Sequence, residues 1–535
     1  MRSRIWAWVA VGAVVALSAA IRLRLLDVPL DRDEGEYAYF GQLLLDGIPP
    51  YAQAYNLKLP GIYGVYALVM ATFGQTPAAI RTGLILTTSA TTVVTYLLGA
   101  RLAGTIVGLG GAALYAALSL NPKGLGVAAY AEHFALLPVV AGTLVLWRAG
   151  RERRTLLLLI GGLLLGLGVL VRQSTAPFVL GGTVYLLLPG RPPAGRRWPA
   201  RVGETAVFVV AAAAPLALTC LGLWLAGTLR TFWFWVFSYA RYYQADPSTG
   251  WSNLVRTLGA LAPSVSVAIG LAAIGLGAVV RDRNADRRAF VLLFMGSAFV
   301  GTMMGLQFRP HYFLLTTPGM ALLAAMGLNT LGTLVAMGRP SAPRWGLACA
   351  LGVVAVAQPL YASRAVLFEL GPEQVSRAIY GRNPFPESVE IARYIREHST
   401  RGDRVAVVGS EPQIYFYSAR RSATGYIYTY PLMELQPYAQ AMQHQMIREI
   451  ETIAPRFLVF VSATRSWAVR PGSDRTIFGW FEGYQRSFTR VGVADILPQR
   501  QTEYRWGEAA AGYAPHSDVW VMVFERTNER TSHEK

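Results

Sequence analysis

Residues 31–37 read Asp31-Arg32-Asp33-Glu34-Gly35-Glu36-Tyr37 and follow directly on an apolar run from Ile5 to Leu26. Four carboxylates and an arginine crowd into six positions at the edge of a segment long enough to cross a hydrocarbon core of about 30 Å. Charge beside a bilayer is costly unless it is solvated or used. Further on, Asn56-Leu57-Lys58-Leu59-Pro60-Gly61 sets a lone lysine in an apolar, tyrosine-rich stretch. A spanning segment followed by a carboxylate cluster and an isolated lysine predicts a helical membrane protein whose first outer loop carries the chemistry.

Working outward, apolar runs recur near residues 5–26, 79–99, 103–120, 132–147, 155–171, 174–189, 204–226, 255–280, 289–306, 312–337 and 344–361. That pattern predicts a polytopic α-helical membrane protein with about 11 transmembrane helices. The first run is too long for a typical signal-peptide core and no small-x-small cleavage site precedes the acidic loop, so it is read as a retained helix. With the N-terminus placed in the cytoplasm, one set of loops holds Arg2, Arg4, Arg101, Arg148, Arg151, Arg153, Arg154, Arg191, Arg196, Arg197, Arg201, Arg281, Arg283, Arg287, Arg288, Arg339 and Arg344. The opposite loops hold far fewer basic residues, as membrane orientation requires. The expected location is the cell (inner or plasma) membrane, multi-pass. The formal net charge of +18 is absorbed by this bias and predicts no nucleic-acid partner, because no basic stripe with interleaved aromatics stands outside the apolar runs. Cys220 and Cys349 both lie in apolar runs, and no Cys/His spacing predicts a structural metal.

The division expected is a membrane domain over 1–361, including an outer loop at 27–78, and an extracytoplasmic soluble α/β domain over 362–535. Within the outer loop, Tyr37–Leu45 has helical periodicity and Gly47-Ile48-Pro49-Pro50-Tyr51 ends it. Residues 62–73 read as an interfacial apolar run. The aromatic stretch Thr231–Tyr243 reads either as an interfacial belt or as a surface for an isoprenoid chain or acceptor. In the C-terminal part, Ser388–His398 and Glu434–Ile453 read as helices, and Val405–Gly409, Arg456–Val461 and Val519–Phe524 as strands. This part shows no catalytic constellation. It is read as an acceptor-binding or assembly unit.

Among the carboxylates, Asp33 is assigned as the one able to accept a proton from a hydroxyl or amine. Glu34 is grouped with it as catalytic; Glu34 and Glu36 are the next candidates for sugar or acceptor contacts, and Asp31 is expected to be solvated. Lys58 either pairs with a carboxylate across the loop or holds a phosphate as a point charge. Gln307-Phe308-Arg309-Pro310-His311-Tyr312 falls on the same outer side, where Arg309 offers a planar fork for phosphate and His311 and Tyr312 offer hydrogen bonds. Tyr37, Tyr55, Glu132, His133, Arg172 and Arg241 are weaker candidates for a sugar or acceptor pocket; for Glu132 and His133 a polar helix cap is the simpler alternative.

Asp33-Glu34-Gly35-Glu36-Tyr37, then Gly47-x-x-x-Tyr51, Lys58-Leu59-Pro60 and Arg309-Pro310-His311-Tyr312, spread over about the first 320 residues, resemble the motifs of the GT-C glycosyltransferases. The protein O-mannosyltransferase and aminoarabinose (lipid A) transferase group is the most similar. Glu36 stands where the aminoarabinose enzymes commonly have arginine and Leu57 where they have glutamate, so the resemblance does not extend to the sugar. It implies a polyprenyl-phosphate sugar donor in the membrane lipid, an acceptor that the resemblance does not name, and transfer on the extracytoplasmic side with inversion. It further implies Asp33 as general base, and Lys58, Arg309 and His311 on the leaving phosphate. No cofactor is predicted, and the carboxylate cluster leaves a divalent metal open. The rival classes are a transporter or flippase of lipid-linked intermediates, against which the absence of duplicated halves speaks, and a membrane-anchored binding or assembly protein.

Overall fold

The computed structural model describes residues 2–152, 154–189, 197–338, 346–498 and 500–527. Arg153, Arg191, Arg196, Arg339 and Arg344, used above for orientation, lie outside them. The membrane part contains α1 (Arg2–Leu23), α2 (Arg32–Leu45), α3 (Gly61–Phe73), α4 (Pro77–Ala103), α5 (Thr105–Leu118), α6 (Ala131–Glu152), α7 (Thr155–Val171) and α8 (Ala176–Leu187). It continues with α9 (Trp198–Leu225), the short α10 (Leu229–Trp233), α11 (Pro247–Val280), α12 (Ala285–Met303), α13 (Thr317–Gly338) and α14 (Gly346–Ala362). Each apolar run of the sequence coincides with one of these helices, and among the described residues six helices are long and apolar enough to cross a membrane. The run beginning at 312 starts as 3-10 turns over Pro310–Thr316 and becomes α-helical only at Thr317.

Without water to expel between helices, close backbone approach supplies much of the packing inside a membrane. Here it comes from small residues. A Cβ on Gly275 of α11 would sit 1.9 Å from the Leu323 carbonyl oxygen of α13, and one on Gly327 of α13 would sit 2.1 Å from that of Leu271. At the end of α1, buried Arg22 donates to the carbonyls of Ser119 (2.7 Å) and Gly126 (2.9 Å). That ties the first helix to the α5–α6 connection.

The C-terminal part holds α15 (Pro372–Tyr380), α16 (Phe385–Glu397), α17 (Gln413–Ser418), α18 (Tyr430–Met433) and α19 (Ala439–Ile453). Its sheet contains β1 (Arg404–Val408), β2 (Arg421–Ser422), β3 (Phe457–Val461), β4 (Phe488–Asp495), β5 (Glu503–Trp506) and β6 (Trp520–Arg526) in the order β2-β1-β3-β6-β4-β5. β1 runs parallel to β2 and β3, and the remaining neighbours are antiparallel. The helix expected from Glu434 begins only at Ala439. Glu434 is extended, and Pro437 restricts the residue before it.

Strand alternation gives the sheet two different faces. Ala406, Val408 and Leu458 face Met442, Met446 and Ile450 of α19. Val405, Val407, Phe457 and Val459 instead share one core with Tyr39 and Phe40 of α2 and Ile62 and Tyr66 of α3. The outer loop is therefore a structural layer between the membrane helices and the sheet. Gly35 makes the contact close: a Cβ there would sit 2.6–2.8 Å from the Cβ, N and Cα of Gln413. The aromatic stretch is divided in the same way. Phe232, Trp235 and Tyr239 are buried, and Trp233, Phe237 and Tyr242 are exposed.

Because Gly35 meets backbone rather than a movable side-chain tip, Gly35→Val is expected to cost about 1–3 kcal/mol. The cost should appear as a lowered thermal midpoint in detergent and faster proteolysis of the C-terminal part.

Candidate active site

The first turn of α2 sorts the acidic cluster. Asp31 is the N-cap: its Oδ1 accepts from Glu34 N at 2.9 Å, and Glu34 Oε2 accepts from Asp31 N at 3.2 Å, a reciprocal capping box. Tyr130 donates to the other Asp31 oxygen, and Asp31 is 2% exposed. The expectation that Asp31 is solvated is corrected on this point, because the helix cap and Tyr130 occupy its carboxylate. Glu34 is fully buried. It accepts from Arg81 Nη2 at 2.9 Å and Ala129 N at 2.5 Å. Arg32 turns away to Glu411 (2.5 Å), Tyr430 OH (2.9 Å) and the Ser410 carbonyl.

Asp33 and Glu36, three positions apart, share a helix face. Lys58 Nζ sits between them, 2.9 Å from Asp33 Oδ1 and 2.5 Å from Glu36 Oε2, and 4.6 Å from the centre of the Tyr37 ring. Tyr63 OH donates to Glu36 Oε1 at 2.9 Å, and Tyr428 OH donates to Asp33 Oδ1 at 2.8 Å. The Glu36 side chain is wholly buried, whereas that of Asp33 is 26% exposed. Burial disfavours the charge of Asp33. The Lys58 ammonium, His311 and the hydrogen bonds from Lys58 and Tyr428 outweigh it and hold its pKa well below the usual carboxylate range. Burial pushes Glu36 up to about 7 against the pull of Lys58, and it pushes Glu34 up to about 7 against Arg81.

The Arg309–Tyr312 turn closes the cluster from the side. His311 lies parallel to Tyr130 with ring centres 4.5 Å apart, close enough to Asp33 and Lys58 for their charges to act on it. Arg172 pairs with Glu132 at 2.9 Å and lies over the Tyr312 ring at 4.7 Å, so two pocket candidates form one ion pair. Among the described residues the buried Tyr37 hydroxyl has no hydrogen-bond partner, and it lies within electrostatic reach of Asp33, Glu36, Glu132 and Arg172. Arg309 is exposed beside Tyr243, Tyr312 and Tyr430, and among the described residues no carboxylate pairs with it. His133 is fully buried within the influence of Arg22 and Arg81. Tyr55 stacks on Trp235 (5.7 Å) and donates to Glu449 (3.3 Å), and Arg241 lies against Tyr242 and Tyr438. Tyr55 and Arg241 thus join the aromatic stretch to the C-terminal part.

Tyr428 and Arg81 were not anticipated. Arg81 is hidden in an apolar run, and Tyr428 belongs to a part of the chain that shows no motif. The alternation Tyr426-Ile427-Tyr428-Thr429-Tyr430 was the available signal. Among the described residues no three His, Cys, Asp or Glu side chains converge as a metal site. The space between Asp33 and Glu36 holds an ammonium instead.

A family model described as dolichyl-phosphate-mannose-protein mannosyltransferase matches residues 59–218, starting one residue after Lys58. The fold is similar to that of ArnT from Cupriavidus metallidurans bound to undecaprenyl phosphate, at TM-score 0.58 and 15% identity over 96% of this chain and 98% of that one. It is also similar to the Archaeoglobus fulgidus oligosaccharyltransferase AglB, in complex with an inhibitory peptide and a dolichol-phosphate, at TM-score 0.53 and 11% identity over 95% and 75%. No curated protein sequence matches. The chain therefore shares its fold with these two membrane proteins.

Glu34→Ala leaves Arg81 charged, buried and unpaired, and is expected to cost about 3–5 kcal/mol. Asp33→Asn, at a partly exposed pair, is expected to stay within about 1 kcal/mol of wild type. Thermal unfolding of both variants in the same detergent checks the contrast.

Proposed function

We propose that this protein transfers a hexose or pentose from a polyprenyl-phosphate donor to a protein, lipid or glycan acceptor, with Asp33 as general base. The observation that carries this reading is the pairing of Asp33, the carboxylate of the cluster that reaches solvent, with Lys58 at 2.9 Å, at the edge of a GT-C fold. ArnT and AglB, which share the fold, are described with undecaprenyl phosphate and dolichol-phosphate. The acceptor hydroxyl or amine attacks the anomeric carbon and passes its proton to Asp33. The bond from that carbon to the phosphate oxygen breaks with its electron pair on the oxygen, and polyprenyl phosphate leaves. One displacement inverts the configuration. Lys58, Arg309, His311 and Tyr312 supply charge and hydrogen bonds where negative charge develops on the leaving group, the expected main catalytic contribution. Tyr37, Glu132 and Arg172 line the space beside the sugar. The loop bias of basic residues supports an extracytoplasmic site, with residues 362–535 on the same side.

In an assay with a polyprenyl-phosphate sugar, Asp33→Asn is expected to abolish transfer while donor binding persists; turnover like wild type removes the base assignment. Lys58→Ala is expected to weaken donor binding, and unchanged affinity argues against a phosphate role. Protonating Glu36 as pH falls through about 7 removes a negative charge next to Lys58. Binding of a polyprenyl phosphodiester, which does not titrate in this window, is therefore expected to tighten as pH falls. The dependence should flatten in Glu36→Gln.

A further inference from the structure

Asp33 is held in an asymmetric way. Lys58 Nζ and Tyr428 OH both donate to Oδ1, at 2.9 and 2.8 Å. Among the described residues nothing donates to Oδ2, and the side chain is 26% exposed. One oxygen is clamped by two donors, and the other is left without one among the described residues.

Tyr428 is itself firmly placed. Thr429 N donates to Ser410 Oγ at 2.9 Å, and Thr429 Oγ1 donates to the Ser466 carbonyl at 3.0 Å. Ser466 Oγ in turn accepts from Ser410 N at 2.7 Å. All three side chains are buried. On the other side, Tyr430 OH donates to the Arg465 carbonyl at 2.6 Å and accepts from Arg32 at 2.9 Å. The loop carrying Tyr428 is thus fastened both to the sheet end and to the helix turn that carries Asp33.

We propose that Tyr428, supplied by the C-terminal part nearly 400 residues along the chain, is the positioning residue that aims Asp33 Oδ2 at the acceptor nucleophile. The proposal rests on the reading of Asp33 as general base. The two donors on Oδ1 are not equivalent. Lys58 also serves Glu36 and is the group a donor phosphate attracts, whereas among the described residues Tyr428 OH has no second hydrogen-bond partner and stays with Asp33 when the donor arrives. A base that must meet a hydroxyl within hydrogen-bond reach gains from having its rotamer fixed in advance.

The test compares Tyr428→Phe with Tyr39→Phe and Asp33→Asn in the full-length protein. Tyr39 OH accepts from Ser422 N at 2.8 Å, so its loss removes a bond between the same two layers without touching Asp33. Tyr428→Phe is expected to lower kcat about 10- to 100-fold, the range for losing a hydrogen bond to a charged group, with little change in donor KM. The acid limb of its rate profile should move to higher pH, since a bond stabilising the carboxylate has gone. Tyr39→Phe should match it in thermal midpoint and keep wild-type kcat. Wild-type kcat and pH profile in Tyr428→Phe, or an equal kcat loss in Tyr39→Phe, overturns the proposal. If Asp33→Asn turns over like wild type, the base assignment fails instead, so the two failures are distinguishable.

Discussion

A lysine ammonium held between two carboxylates with little access to solvent is the constraint to which the outer layer of this protein answers. A charge in that position must be paired, and the pairing dictates geometry. Asp33 and Glu36 have to share a helix face, which requires α2 to be helical from its first turn and therefore to be capped. The Asp31–Glu34 box supplies the cap. The lysine has to return to that face, so the chain between α2 and α3 folds back. Its return is fixed by Tyr51 OH on the Lys58 carbonyl (2.6 Å) and Gln173 on the Leu57 carbonyl (2.7 Å). Gln173 lies at the turn after α7. The ammonium's position thus depends on the membrane helices as well as on the loop.

The same helix turn serves two bodies. Glu34 faces Arg81 of α4 and the backbone of Ala129, and Arg32 faces Glu411 and Ser410 beyond β1. The acidic cluster is thus divided by function: Asp31 caps, Glu34 binds the turn to the membrane body, and Asp33 and Glu36 hold Lys58. Arg32 binds the turn to the sheet. Only one of the four carboxylates keeps appreciable access to solvent, and that is what singles out Asp33.

How much of this was visible in the sequence follows the range of the forces involved. Apolar runs of bilayer length gave the helices, because that signal is local and needs no partner. β1, β3 and β6 were legible as short apolar runs. β4 was not, since Arg490 and Gly492 interrupt its alternation at a register shift, and β5 is a short edge strand of partly exposed residues. Asp33, Lys58 and the Arg309–Tyr312 turn stand out as charge against an apolar background, and the fold brings them together. The fate of Asp31 was misjudged because solvation is the default for a loop carboxylate, and nothing local announces that Tyr130 will meet it. Arg81 and Tyr428 were missed for a related reason: their significance lies in partners 47 and 395 positions away.

The resting electrostatics bear on how the proposed reaction starts. A carboxylate held far below its ordinary pKa is a poor base, and Lys58 is the largest influence holding Asp33 down against burial. Lys58 cannot serve two carboxylates and a phosphate equally well. On the proposed reading, a donor phosphate draws the ammonium toward itself, and Asp33 loses its principal counter-charge in a site that remains largely buried. Its basicity then rises when the sugar is in place and not before. Glu36 acts in the same direction. Buried and titrating near neutrality, it can take up a proton as the ammonium leaves, so no second bare carboxylate is left facing the phosphate. The ion pair that stabilises the empty site thereby restrains its base, and the donor's own charge releases that restraint.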